Sequence, residues 1–148
     1  MDSKEHKFCY DYPRPCVASD CLIINEFNEI LLIQRKRPPY EGCWALPGGF
    51  LEMDETTEQC AARELKEETG VTIELNELKH VAVFSEVNRD PRERIISVSY
   101  LAHVIKHEVR HKAGDDAFNT DWHKLDVLPS MAFDHAQIIE CAKMKNLF

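Results

Sequence analysis

No internal repeat, linker or low-complexity block interrupts the 148 residues, so nothing marks a boundary and the length fits one domain, 1–148, with a hydrophobic core of its own. No C-x-x-C pair occurs among the six cysteines (Cys9, Cys16, Cys21, Cys43, Cys60 and Cys141), and their scatter has no zinc spacing. Reduced thiols in a cytoplasmic protein are the expectation. A long apolar run is also missing, and the first residues, MDSKEHKFCYDYPRP, are too charged and polar for a signal peptide or a membrane span. Basic residues are the minority, 18 against 26 acidic, for a formal charge of -8. That balance argues against broad binding to nucleic acid or to an anionic membrane. Glycine is scarce, at five, yet two stand side by side at Gly48 and Gly49.

Those two glycines open the most informative stretch, GGFLEMDETTEQCAARELKEETGV, residues 48–71. Good helix formers fill 57–69. Thr56 with Gln59 forms a potential capping box at the start, and Gly70 is a natural left-handed stop at the end. On that helix Glu64, Glu67 and Glu68 lie at i, i+3 and i+4 and share a face, while Ala61 and Leu65 offer an apolar stripe to a sheet. Three carboxylates on one face repel unless a cation neutralises them, and hard oxygen donors suit Mg²⁺ or Mn²⁺. Such a metal offsets pyrophosphate charge, polarises phosphorus and acidifies a bound water. The alternative for a Glu-rich helix is a solvated acidic face.

Gly49, five residues, Glu55, seven residues, Arg63-Glu64-Leu65, one residue, Glu67-Glu68, one residue, Gly70-Val71: this order resembles the Nudix box at every specified position. The resemblance implies an α/β fold, an αβα sandwich with a mixed β-sheet between helices. It also implies a hydrolase that cleaves phosphoric anhydride bonds in nucleoside diphosphate derivatives. Metal ligands would be the Gly48 carbonyl with Glu64, Glu67 and Glu68, holding Mg²⁺, with Mn²⁺ as a substitute. Gly49, Glu55 and Arg63 would be structural support, the last two through an ion pair that orients loop and helix. The catalytic base would come from the box (Glu64 or Glu67) or, as in ADP-ribose pyrophosphatases, from a later acidic loop, here Asp115 or Asp116, with Glu108 as an outside candidate. Many relatives are homodimers.

Outside the box, residues 17–24 and 30–34 read as strands joined by a turn at 26–29, followed by a basic, proline-interrupted loop at 35–42. Short β-prone runs follow at 72–75 and 80–84, then a polar loop at 88–94, a long strand at 95–107, a further strand at 121–125 and a terminal helix at 133–145, with Ile138, Ile139, Ala142 and Met144 at helical spacing. Three stretches resemble the ADP-ribose pyrophosphatase branch: 35–50, Arg89-Asp90-Pro91-Arg92 with 95–100, and 113–117 together with Leu128-Pro129 and Ala132-Phe133-Asp134-His135.

ADP-ribose, cleaved to AMP and ribose 5-phosphate, is therefore the first substrate expectation. Arg35, Arg37, Arg89 and Arg92 are the candidates to contact its phosphates, since guanidinium forks match phosphate oxygens. Their alternative is a solvent-facing basic strand end, and Asp90 can instead cap its own turn. Tyr40, Trp44 and Phe84 are candidates to stack on a base, with core packing the preferred reading for Trp44. His135 is expected to anchor the last helix. Two positions depart from the branch. Val87 stands where members active on ADP-ribose usually carry proline, and Glu93 stands where glycine often follows Asp-Pro-Arg. The rival readings are a pyrophosphohydrolase of oxidised nucleoside triphosphates and a non-catalytic nucleotide-sensing module. The complete set of box carboxylates favours catalysis over sensing.

Overall fold

The strand β1 (Cys16–Asn25) is the spine of the molecule, and its neighbours explain where the cleft lies. The computed structural model describes residues 8–114 and 117–148. The further elements are β2 (Glu29–Arg35), β3 (Trp44–Ala45), β4 (Gly48–Phe50), α1 (Thr57–Thr69), β5 (Lys79–Phe84), β6 (Ile95–Val104), β7 (Ala117–Lys124) and α2 (His135–Met144). They build a seven-stranded mixed sheet in the order β3-β2-β1-β6-β5, with β4 added to β1 and β7 to β2. β1 runs parallel to β6 along its whole length, from Cys16 opposite Ile95 to Asn25 opposite Val104. On its other edge β1 changes partner. Its end meets β2 at Ile24 and Ile30, whereas Ala18, Ser19 and Asp20 pair antiparallel with Phe50, Gly49 and Gly48 of β4. β2 meanwhile turns away to pair with β7 and β3. The split gives the glycine-bearing strand a place against the first half of β1.

Period-two alternation sends successive β1 side chains to opposite faces. Leu22 and Ile24 join Ile30, Leu32 and Leu101 beneath Ile138, Ile139 and Ala142 of α2. Cys21 and Ile23 join Leu31 and Tyr100 beneath Ala61 and Leu65 of α1. With a helix on each face, the sheet forms the expected αβα sandwich. α1 has the expected ends. The Gln59 N–H donates to Thr56 Oγ1 at 3.2 Å, the Thr56 N–H donates to Gln59 Oε1 at 2.8 Å, and Gly70 takes φ 75° with its N–H on the Lys66 carbonyl at 2.8 Å.

Several local expectations need correction. Residues 72–75 form no strand. Val71 and Ile73 do alternate inward onto the α1 face, but no neighbouring strand pairs with the segment, which closes in a 3₁₀ turn at Leu75–Glu77. β6 stops at Val104, and a second 3₁₀ turn, Lys106–Glu108, replaces the end of the expected strand. The approach to the box is not all loop, since it contains β3 and β4. β7 begins four residues earlier than the expected strand at 121–125. Met144 is 76% exposed and leaves the core to Ile138, Ile139 and Ala142. Among the described residues, no helix is long and apolar enough to cross a membrane.

Two substitutions on α1 should separate packing from capping. Leu65→Ala removes a fully buried side chain and is expected to lower unfolding free energy by about 2–5 kcal/mol. Thr56→Ala removes one cap and should cost about 1 kcal/mol. Urea titration followed by circular dichroism measures both, and equal losses would contradict this account of how α1 is held.

Candidate active site

β4 and α1 meet edge-on, and the glycines are what let them. A Cβ on Gly48 would strike Asp20 and the Ser19 carbonyl, and one on Gly49 would strike the Glu64 carboxylate. The missing side chains allow the Gly48 N–H to donate to Glu68 Oε2 at 3.1 Å. Strand end and carboxylates are thereby fixed to one another.

Arg63 ties the remaining acids together. Its Nε donates to Glu55 Oε2 at 2.9 Å and its Nη2 to Glu55 Oε1 at 2.6 Å, a bidentate pair. Nη1 reaches Glu64 Oε1 at 2.8 Å and Glu67 Oε2 at 3.2 Å, and Nη2 also reaches the Phe50 carbonyl at 3.1 Å. The Glu55 carboxyl is held at about 2, chiefly by its hydrogen bonds from Arg63, and those same bonds raise the Arg63 pKa. This is the ion pair expected from the sequence.

Glu64 and Glu68 behave oppositely. Burial raises both, Glu68 well above the ordinary carboxylate range, and the neighbouring charges of Glu64 and Asp20 push Glu68 further up. Buried carboxylates crowded in this way are short of positive charge. Their hard oxygens suit a divalent cation bridging to phosphate, so the donor chemistry fits a metal. Among the described residues, however, no three His, Cys, Asp or Glu side chains are gathered so that they could hold an ion by themselves. Backbone and substrate oxygens would have to complete any coordination shell. Glu67 is the outlying member of the expected triad: its side chain is 58% exposed, and it is not among the residues lining the cleft.

The cleft in front of these acids measures about 570 Å³. Asp20, Gly48, Gly49, Glu64 and Glu68 line one side, and Arg35, Arg37, Arg89, Arg92, Phe133 and His135 line others. All four expected arginines thus reach the cavity, in different states. Arg35 Nε donates to the Pro39 carbonyl at 2.8 Å, and its pKa is lowered by burial first and by the Arg92 charge second. Arg92 pairs with Asp90, Nε at 3.0 Å and Nη2 at 2.8 Å, while its own N–H donates to Asp90 Oδ1 at 2.9 Å, so the expected Asp90 turn is present as well. Arg89 is 5% exposed and makes a two-pronged pair with Asp134, at 2.8 and 2.7 Å.

Other candidates lie elsewhere. Trp44 packs in the core against His123, ring centres 4.3 Å apart, and Phe84 packs against the α2 side of the sheet. Tyr40 leans on Phe133. Glu108 is exposed and does not line the cavity. Asp115 and Asp116 lie outside the described residues. Val87 is 69% exposed and also stands off the cavity wall. Asp20 and Phe133 are among the lining residues not singled out as site candidates from the sequence. Asp20 is a buried acid inside the apolar run 17–24, an anomaly that could have marked it. It accepts a short hydrogen bond from Ser97 Oγ. Phe133 gives no such signal, because its placement depends on a left-handed backbone, φ 50°.

Comparison with known proteins agrees with this geometry. A family model described as NUDIX domain matches residues 14–141. The chain is 47% identical over 129 residues to an ADP-ribose pyrophosphatase of Methanocaldococcus jannaschii, covering 87% of this chain and 73% of that protein. It superposes on the NUDIX domain of Shewanella oneidensis NrtR in complex with ADP ribose with a TM-score of 0.82 at 29% identity, covering 91% of this chain and 90% of that one. A bifunctional NMN adenylyltransferase/ADP ribose pyrophosphatase of Francisella tularensis, complexed with AMP and a manganese ion, gives 0.80 at 33% identity, covering 92% of this chain and 43% of that one.

The Arg63–Glu55 pair predicts a pH signature. The Glu55 carboxyl is depressed to about 2 from an ordinary 4.5, so its contribution is complete above about pH 4.5 and fades as pH falls toward 2. Glu55→Gln should therefore lose about 1–2 kcal/mol of stability at pH 7, allowing for the partial exposure of Arg63, and progressively less below pH 4.5. Urea midpoints of both proteins between pH 7 and pH 3 test it; a gap that stays constant across that range refutes the assignment.

Proposed function

The chain belongs to the NUDIX family, and on that premise we propose that it is a Mg²⁺-dependent pyrophosphohydrolase whose first substrate is ADP-ribose, cleaved to AMP and ribose 5-phosphate. The observation that carries the reading is the opposition of charge across one cleft. Buried Asp20 and half-buried Glu64 and Glu68 lie behind the glycine strand, and Arg35 and Arg92 stand on walls facing the same cavity. A diphosphate bridged to the acids by a divalent ion satisfies both sides at once. A neutral ligand satisfies neither. The net charge of -8 suits a small nucleotide whose phosphates are met through metal ions better than it suits nucleic acid.

Glu64, Glu68 and the Gly48 carbonyl would hold the metal, with Glu67 reaching in from the exposed side of α1. Bound there, the ion would neutralise phosphate charge, polarise phosphorus and acidify the attacking water. The chain's own residues do the rest. Arg63 keeps Glu64 turned toward β4 and Glu55 against the helix. Arg35 and Arg92 take non-bridging phosphate oxygens and fix the diphosphate for in-line attack. The proton acceptor is Glu64 or Glu67, or one of Asp115 and Asp116.

The relatives' names support ADP-ribose: one is a pyrophosphatase of that compound, and another was solved with it bound. Val87 does not line the cleft, so its departure from proline leaves the residues of the cavity wall unchanged. A third relative, solved in complex with AMP and a manganese ion, supports a divalent ion and leaves Mg²⁺ as the proposal for this chain.

Turnover of ADP-ribose, NADH, nucleotide sugars and oxidised dGTP with Mg²⁺ or Mn²⁺, with products identified, tests the proposal. The expected result is the highest kcat/KM for ADP-ribose with AMP as product. Preference for oxidised dGTP, or no metal-dependent turnover of any of them, would overturn it. Glu68→Gln should lower kcat by orders of magnitude with the circular dichroism spectrum unchanged, and near-normal activity would remove Glu68 from the metal set.

A further inference from the structure

Three consecutive residues touch three separate walls of the cleft. The Phe133 ring lies 4.8 Å from the Arg35 guanidinium and 5.1 Å from that of Arg92. Asp134 grips Arg89 with both oxygens and so anchors the 88–94 loop that carries Arg92. His135 Nδ1 accepts the N–H of Leu46 at 3.0 Å, two residues before Gly48. With Nδ1 as acceptor, the proton of the neutral ring sits on Nε2, which faces Asp20 Oδ1 at 3.7 Å. Burial lowers the His135 pKa, so this approach joins a neutral ring to a carboxylate and is not an ion pair.

The backbone shows that this arrangement is imposed. Phe133 takes φ 50°, a left-handed conformation that a bulky side chain seldom adopts. Bonds on both sides hold it there: the Ala132 N–H donates to the Trp44 carbonyl at 2.7 Å, and the His135 N–H donates to the Ala132 carbonyl at 3.2 Å. Two like charges packed against one aromatic ring, that of Arg35 half-buried, form a site whose repulsion an anion would relieve.

We propose that Phe133, Asp134 and His135 form a single clasp of positioning residues. In it Phe133 sets the spacing of the two guanidiniums that take the diphosphate, and His135 sets the strand end that carries Gly48. The inference rests on the reading of the cleft as a metal–diphosphate site, and it makes the two arms separable. Phe133 acts on the anion and His135 on the metal.

The test uses the full chain with Phe133→Leu, His135→Ala and His135→Asn. Mn²⁺ affinity is read by electron paramagnetic resonance without nucleotide, anion affinity by calorimetry with Mg²⁺ and inorganic pyrophosphate, and kcat and KM with ADP-ribose. Phe133→Leu should weaken pyrophosphate binding and raise KM by about tenfold, with a smaller change in kcat and unchanged Mn²⁺ affinity. His135→Ala should weaken Mn²⁺ by about tenfold. His135→Asn should recover most of that loss, because its Oδ1 can stand where Nδ1 stood as acceptor for Leu46. That variant also covers the case in which the alanine protein fails to fold. Variants that lose thermal stability alone, or an asparagine variant that binds Mn²⁺ as poorly as alanine, overturn the clasp. Mn²⁺ and pyrophosphate affinities need no turnover. A wild-type protein that binds both but leaves ADP-ribose intact therefore overturns the substrate reading while the clasp is still decided.

Discussion

One guanidinium holds the acidic half of this molecule together. Arg63 donates to Glu55, Glu64, Glu67 and the Phe50 carbonyl, so it touches the loop before α1, the helix face itself and the end of β4. Without it, carboxylates at i, i+3 and i+4 would repel along the helix. Its reach is asymmetric. Glu55 is fully engaged and its carboxyl driven down to about 2, whereas Glu68 receives only a backbone N–H and stays raised by burial. Arg63 thus neutralises Glu55 and shares its charge with Glu64 and Glu67, but leaves Glu68 short of positive charge and open to a divalent ion.

That asymmetry depends on the sheet. If β1 kept β2 beside it along its whole length, β4 would have no edge to join, and Gly48 would not lie against both Asp20 and Glu68. The departure of β2 toward β7 and β3 opens the edge, and the two adjacent glycines fill it with backbone alone. Scarcity of glycine elsewhere in the chain is consistent with this use, since most strands here pack by their side chains.

Legibility in the sequence followed the range of the interactions. α1 with both its ends and the apolar stripe of Ala61 and Leu65 are set by neighbours within a few residues, and the sequence specifies them correctly. The Arg63–Glu55 pair, 8 residues apart, was legible instead through the resemblance to the Nudix box. The segment 72–75 has the alternation of a strand but no partner, and partners are not local information. Met144 does not share the stripe of Ile138, Ile139 and Ala142, because two residues past Ala142 it lies about half a turn round the helix, on the exposed face. In the site, the box acids and the cleft arginines were visible as residues. Their states were not, because Asp134 lies 45 residues from Arg89, and Asp20 lies 77 from Ser97. Asp20 was the one distant contributor with a local sign, a charge within an apolar strand.

The same distant pairings rank the arginines for phosphate. For Arg89 to turn toward a ligand it would have to abandon Asp134 and leave a buried charge unpaired, a cost of about 3–5 kcal/mol. Arg92 faces a lesser version of that exchange on its own side, since its side chain is partly in solvent, and Asp90 would keep one hydrogen bond, from the Arg92 backbone N–H, if the guanidinium moved. Arg35 donates to a neutral carbonyl, and burial first and the Arg92 charge second lower its pKa while it stays a cation. An arriving phosphate would relieve that repulsion and displace only a neutral acceptor. Phosphate oxygens would therefore gain most at Arg35, next at Arg92 and least at Arg89, so three guanidiniums that look equivalent in sequence would divide into ligand contacts and framework.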